Sequence, residues 1–280
     1  MNNSLSYPES LQILLDLTSL QLHFAWRWAR EHPAETISEV LRNRVDLCRK
    51  TDPNPADYDS ATRDFSRPAW IALEHQLTAI HAGVHSAEAF ELQALACVRS
   101  TVEAFAQKTF GSTAKLAEYQ CGSLKYDAPD PATPREVSFH IGNAIAPASI
   151  FADPTYLQRC LLELMHQAES KYGADSLRTS TWLNSLPKWL ELFPSEWHAS
   201  LGPIQTDVGW HYGYWGQFIS AKGTLNCKYA HQLRNTGTFP FYPRKGQCSF
   251  AALRRHLALR QASGSTLPLR AGLPNTNDVN

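Results

Sequence analysis

The sequence predicts an α+β protein, with a mostly helical N-terminal region followed by a C-terminal α/β region that contains a small sheet. Three observations predict this order. Apolar residues recur at helical spacing through most of residues 9–110. A stretch rich in proline interrupts this pattern at 122–135. Beyond it, residues 136–184 read as a strand, an amphipathic helix and a second strand.

The N-terminal region contains three helical patterns, at residues 9–30, 34–49 and 68–110. Each carries large apolar side chains three or four positions apart, as an amphipathic helix does. Pro33 separates the first two patterns, and Pro68 suits the first turn of the third. Gly83 weakens the middle of the third pattern, which is compatible with two helices. Residues 50–67 are rich in Pro, Asp, Ser and Asn and predict a loop.

The α/β region is predicted from alternation and from helix-capping residues. Two alternating segments, 136–145 and 176–183, flank a helix that starts after Asp153-Pro154 and ends at Gly173. A right-handed crossover then makes the two strands parallel. Later residues predict a short helix at 228–235, a loop at 236–249 and a basic helix at 250–261. The predicted division is a helical region at 1–121, a Pro-rich connection at 122–135, an α/β region with aromatic-rich loops at 136–262 and a disordered tail at 263–280.

Composition argues against several classes of protein. Lys plus Arg and Asp plus Glu balance at 26 each, so no positive field favours nucleic acid. No apolar run reaches the length of about 18 residues that a membrane span needs, and the N-terminus lacks the features of a secretion signal. The six cysteines are widely spaced, which indicates reduced thiols in a cytoplasmic protein. Near-neutral charge is compatible with a homodimer.

No established catalytic signature is present: the chain lacks the glycine-rich nucleotide loops, H-E-x-x-H, G-x-S-x-G and zinc-spaced Cys/His sets. The candidate site is instead inferred from residues 138–218, where Trp, Tyr, His, Asn and Gln are concentrated. His140 lies near Gly142, and His211 lies between Trp210 and Tyr212. Histidine exchanges a proton near neutral pH or binds a metal through its neutral imidazole.

We therefore expect a small-molecule enzyme with an aromatic-walled pocket, in which His140 and His211 are acid–base groups or ligands of a divalent metal such as Fe, Mn or Zn. With a metal, the chemistry would be that of an oxidoreductase or a hydrolase, and Glu163 or Asp207 would supply a third ligand. Each histidine is also compatible with a hydrogen-bonded interior position. The residues expected to bind the substrate are Asn143, Thr181, Trp182, Asn184, Trp210, Tyr212, Tyr214 and Gln217.

The segment around Asn184 is similar to the later part of the N-acetyltransferase fold, in which a strand leads into a helix that starts with Asn. Here a strand reaches Asn184, and Pro187, Leu190 and Phe193 follow. The similarity covers about 45 residues. That family holds coenzyme pyrophosphate on a glycine-rich turn, whereas the matching place in this chain reads SIFADPTYL. The resemblance implies, as an alternative, an acyltransferase with a pyrophosphate cleft beside Asp153.

Two further alternatives remain open. The aromatic residues between Trp197 and Phe218 would also suit a non-catalytic binding or assembly protein that presents them to a partner. On the helical pattern of residues 68–110, two carboxylates and two imidazoles share a face, as a carboxylate-bridged metal site requires, but the Glu-x-x-His motif of such sites is missing and the pattern is more typical of a solvated polar face. Those four residues are Glu74, His81, His85 and Glu88.

Overall fold

The computed structural model describes residues 5–52, 63–110 and 119–262. Within these ranges helices dominate and the strands form one small four-stranded mixed sheet, which confirms the predicted α+β class. Part of the loop predicted at 50–67 and the tail predicted at 263–280 lie outside the described residues.

The N-terminal helices match the predicted periodicity with two differences. The long pattern is divided, because Val84 is extended and the Ser86 hydroxyl accepts a hydrogen bond from the Ala89 N–H to start a new helix. The second helix is shorter than predicted. Val45 and Leu47 are both buried, which a continuing helix would not allow on one face because residues two positions apart point to different sides. The helices are α1 (Tyr7–Glu31), α2 (Ile37–Asn43), α3 (Pro68–Gly83) and α4 (Ala87–Thr109), with a 3-10 turn at Cys48–Thr51.

The sheet has the strand order β1-β2-β3-β4, with β1 at Leu124–Tyr126, β2 at Glu136–Ile141, β3 at Ser176–Thr181 and β4 at Arg244–Ser249. The central strands β2 and β3 are parallel and joined by α5 (Tyr156–Tyr172), as the crossover predicts. The outer strands are antiparallel to their neighbours. The prediction of a loop at 236–249 is wrong at Arg244–Ser249, which form β4. The sequence of β4, RKGQCS, contains no β-branched or aromatic residue that would indicate a strand. β1 likewise lies inside the predicted connection.

The two faces of the sheet differ in polarity. On one face the side chains of Val137, Phe139 and Leu177 are buried beneath α5 and a group of packed aromatic rings. Those rings come from α6 (Pro187–Leu190), α7 (Ser195–Ser200) and the turn between them. Alternate residues of the strands form the other face, which is polar. It carries Lys125, Glu136, Ser138, His140, Ser176, Arg178, Ser180, Lys245 and Gln247.

A later part of the chain returns to the N-terminal helices. We call residues 208–239 the return segment; it contains α8 (Tyr212–Trp215), a 3-10 turn at Gly216–Phe218 and α9 (Cys227–Thr236). Its large side chains belong to the helical core, where the ring of Phe24 meets those of Trp215 and Phe239 edge-on at 5.3 and 5.5 Å between centroids. The sheet, α5 to α7 and the last helix, α10 (Phe250–Ala262), surround a second core.

A partly buried ion cluster joins α9 to the N-terminal helices. Glu91 on α4 receives hydrogen bonds from Ser19, from His23 and from Arg234, whose Nη2 lies 2.6 Å from the carboxylate. Arg27 on α1 donates to the backbone carbonyl of Arg234 at 2.9 Å. The return segment is therefore attached to the N-terminal helices both by aromatic packing and by this ionic cluster.

No helix within the three described ranges has the length and hydropathy that crossing a bilayer requires. All six cysteines lie in these ranges, and each is a free thiol, as predicted.

Candidate functional site

The candidate site lies where β2 and β3 separate. Their pairing ends at Ser138 and Arg178, although the strands continue to Ile141 and Thr181. Beyond that point β2 pairs only with β1, so that His140 is opposite Lys125. The separation opens the sheet at the carboxyl ends of its parallel strands, which is where open α/β sheets hold ligands.

His140 forms a carboxylate–histidine pair on the polar face. Its Nε2 lies 2.6 Å from Oδ2 of Asp127, and both side chains are about half exposed. The hydrogen bond from His140 is the main reason that the pKa of Asp127 is below its usual range. With Nε2–H directed at the carboxylate, Nδ1 carries the lone pair that can accept a proton.

Asp127 was not predicted as a site residue. It follows β1 within the proline-rich connection, and it reaches His140 only because β1 pairs with β2. The signal in the sequence is weak: a lone acidic residue after a three-residue strand is typical of a turn.

His211 lies at the start of α8 between two glycines. Its Nδ1 accepts a hydrogen bond from the Gly213 N–H at 3.1 Å, so the proton of the neutral imidazole is on Nε2. A Cβ atom at Gly213 would lie 2.7 Å from the imidazole ring, and one at Gly209 would lie 3.1 Å from Nε2. The spacing of these glycines therefore leaves room for the imidazole, which a side chain at either position would displace.

The structure places His140 within electrostatic reach of His211. Desolvation by surrounding protein atoms lowers the pKa of His211, although the residue is exposed to solvent, and the charges of Arg63 and His140 lower the pKa further. The backbone oxygen of Ser180 on β3 lies 3.9 Å from the Cβ position at Gly213, which places α8 against the separated strands. The return segment thus delivers the second imidazole to the sheet.

Asn184 is placed in the interior and not in the site. Its side chain is fully buried; Nδ2 donates to the carbonyls of Thr179 and Arg244, and Oδ1 accepts from the indole N–H of Trp189 at 2.9 Å. These bonds join β3, β4 and α6. The amide therefore has neither exposed surface nor free hydrogen-bonding capacity for a substrate, and it does not cap the following helix.

Three more of the predicted substrate-binding residues hold backbone in place. Gln217 is buried and bonds three backbone groups, two of them on Phe241. The Thr181 hydroxyl accepts from the Leu183 N–H, and Asn143 closes the loop after β2 by bonding main-chain atoms within five residues of itself. The sequence predicted these polar side chains as ligand contacts because the backbone groups that they satisfy become neighbours only in the folded protein.

The predicted aromatic walls have different surroundings. Tyr214 is buried in the helical core, and Tyr212 is half-buried beside it. Trp182 stacks on Phe241 with 6.1 Å between ring centroids. Trp210 is half-buried and remains next to His211, with which it makes an edge-on contact at 6.1 Å. Tyr214 also contacts the imidazole of His211 edge-on, at 5.1 Å between ring centroids, so Trp210 and Tyr214 are both predicted wall residues that touch this histidine.

The carboxylates suggested as a third metal ligand lie elsewhere. Glu163 accepts a hydrogen bond from Gln167 on the same helix at 2.6 Å, and Asp207 pairs with Arg44. On the N-terminal helices, Glu74 forms a bidentate pair with Arg42. Among the side chains that the structure describes, no three His, Cys, Asp or Glu residues are grouped so that they could hold a metal ion.

No family model matches this chain, and no curated protein or solved structure matches it either. The geometry of the site is therefore the basis for the function proposed below.

Proposed function

We propose that this protein is a small-molecule enzyme that transfers protons with His140 and His211. One observation carries the proposal: a carboxylate–histidine pair, Asp127 with His140, lies at the separation of two parallel strands within electrostatic reach of a second imidazole. Acid–base chemistry requires two groups that can exchange a proton near neutral pH on either side of one bound molecule.

The two imidazoles would have different roles because their hydrogen bonds differ. Asp127 fixes the orientation of His140 and leaves Nδ1 as the proton acceptor. His211 has a lowered pKa and receives the Gly213 N–H at Nδ1, so at neutral pH it is an uncharged donor through Nε2. We assign His140 as the general base and His211 as the hydrogen-bond donor that polarises the substrate.

The acyltransferase alternative receives no support at the start of α5. Asp153 accepts hydrogen bonds there from the backbone N–H and hydroxyl of Thr155, and these bonds lower its pKa to about 2. A carboxylate that stays ionised at this position would repel a pyrophosphate. Arg159 is already paired with the same carboxylate at 3.0 Å.

The assembly alternative receives little support because the aromatic cluster is largely core. Trp197, Trp215 and Phe218 are each at most 1 % exposed. In the described part of the chain, none of the exposed large apolar residues is one of these rings, although Ile204 in the same stretch is 57 % exposed. A partner would therefore find few of these rings at the surface.

The proposal is tested by incubating the protein in D₂O with a panel of small hydroxy acids, keto acids, sugars and amino acids, and following each by proton NMR. Proton transfer appears as loss of C–H signals or as conversion of the compound. We expect a compound that reacts with the wild type to react about 100-fold more slowly with His140→Gln or His211→Gln.

His231→Gln is the matched control, because His231 is an exposed histidine on α9 outside the site. It should react at the wild-type rate. A panel in which no compound reacts, or a reaction that persists unchanged in both site variants, would contradict the proposal. Circular dichroism of each variant separates lost chemistry from lost folding.

A further inference from the structure

Arg63 is a partly buried cation that lies against two aromatic rings. Its guanidinium stacks on the ring of Trp210 at 4.4 Å from the centroid and lies 5.5 Å from that of Phe65. Nη1 donates to the backbone carbonyl of Arg42 at 2.6 Å. No carboxylate in the described ranges forms an ion pair with it, and burial lowers its pKa. Aromatic stacking holds the guanidinium plane while leaving N–H groups at its edge.

Two guanidinium groups, those of Arg49 and Arg63, stack on the ring of Trp210. Arg49 stacks on the same ring at 4.6 Å, and Asp46 forms a bidentate pair with it at 2.8 and 2.7 Å. Asp46 therefore compensates Arg49, and its charge reaches Arg63 only at longer range. The neighbouring Asp64 directs its carboxylate to the backbone and hydroxyl of Ser66. A partly buried cation without its counter-charge is unfavourable unless a bound anion supplies that charge.

This cation belongs to the candidate site by position. Trp210, on which it stacks, precedes His211 and contacts its ring. The positive charge of Arg63 also lowers the pKa of His211. The guanidinium therefore lies on Trp210, which contacts His211, and the face of the sheet that carries His140 also carries Lys125 and Lys245.

We propose that Arg63 binds an anionic group of the substrate, a carboxylate or a phosphate, and so presents the adjoining carbon atoms to His140 and His211. The planar guanidinium fits both anions through paired N–H donors. This inference rests on the proposed function, since it names the class of substrate for the same site.

The test titrates inorganic phosphate and acetate separately into ¹⁵N-labelled full-length protein at constant ionic strength. The Arg63 Nε–H signal is assigned from its loss in Arg63→Gln. We expect saturable shifts of that signal and of the His211 signals with at least one anion. Saturation by phosphate alone identifies a phosphate ester as the substrate class, and saturation by acetate identifies a carboxylic acid.

In Arg63→Gln the affinity for the anion, measured from the His211 signals, should fall about tenfold or more. Arg63→Lys keeps the charge but loses the planar guanidinium, so its affinity should lie between those of the wild type and Arg63→Gln. Arg99→Gln is the control, because Arg99 is an exposed arginine on α4; it should bind like the wild type. Shifts that do not saturate, or equal affinity in Arg63→Gln, would overturn the inference.

The two proposals fail separately. Saturable anion binding at Arg63 without proton transfer on any compound would refute the enzyme and leave the anion site. Proton transfer on a carboxylate or phosphate compound at equal rates in wild type and Arg63→Gln, with no saturable anion binding, would refute the anion site and leave the enzyme.

Discussion

Replacing Glu91 with glutamine is expected to lower the free energy of unfolding by about 3 kcal/mol at pH 7. Burial alone would raise the pKa of Glu91, but hydrogen bonds from His23, Arg234 and Ser19 outweigh it and lower the pKa to about 2. Glutamine resembles the protonated carboxyl group, so the variant lacks the stabilisation that ionisation of Glu91 contributes. Urea denaturation at pH 7 measures the loss.

The same loss should depend on pH in a defined direction. A carboxyl group whose pKa is lowered on folding stabilises the protein above its unfolded pKa, and this contribution disappears as pH falls towards the folded value. The difference between wild type and Glu91→Gln should therefore shrink from about pH 5 downwards. Glu31→Gln is the control, since Glu31 is a half-exposed partner of Arg27 and should cost less than about 0.5 kcal/mol. A difference that stays constant down to pH 3 would contradict this account.

Replacing Asn184 with leucine is expected to destabilise the protein by about 3 kcal/mol. Leucine has nearly the shape of asparagine, but it leaves the buried indole N–H of Trp189 without an acceptor and removes the donor to the carbonyls of Thr179 and Arg244. Each unsatisfied buried group costs about 1–3 kcal/mol. Thermal and urea denaturation, followed by tryptophan fluorescence, measure the change.

Asn235→Leu provides the matched control for this substitution. Asn235 is exposed on α9, where leucine is a better helix former, so the variant should keep wild-type stability within about 0.5 kcal/mol. Equal stability of Asn184→Leu and wild type would show that the Asn184 hydrogen bonds do not hold β3 to β4.

Features set by local physics could be predicted from the sequence. The long apolar stripes of α1 and α4 identify helices, since such a face must be buried. Gly173 ends α5 with φ 64°, a left-handed conformation that glycine adopts without strain. The pattern of β2, α5 and β3 predicted parallel pairing because a helix between two strands returns the chain to the end of the sheet at which the first strand began.

Features set by contacts between distant residues could not be predicted. β4 forms because β3 offers it an edge, and its own sequence carries no strand pattern. Asp127 and His140 meet through the register of β1 with β2, and no local spacing encodes that register. Asn184 resembled a ligand contact at the end of a strand, yet its role depends on backbone groups 60 residues later in the chain.

The claim that His140 and His211 face one site is tested most directly by NMR titration of the imidazoles in wild type, His140→Gln and Arg63→Gln. A neighbouring positive charge disfavours protonation of His211, so removing either charge should raise the pKa of His211. It should remain below the ordinary value, since burial is the largest cause of the shift. A pKa of His211 that rises in both variants supports the shared site. A pKa that is unchanged in His140→Gln would mean that the two imidazoles do not act on one molecule.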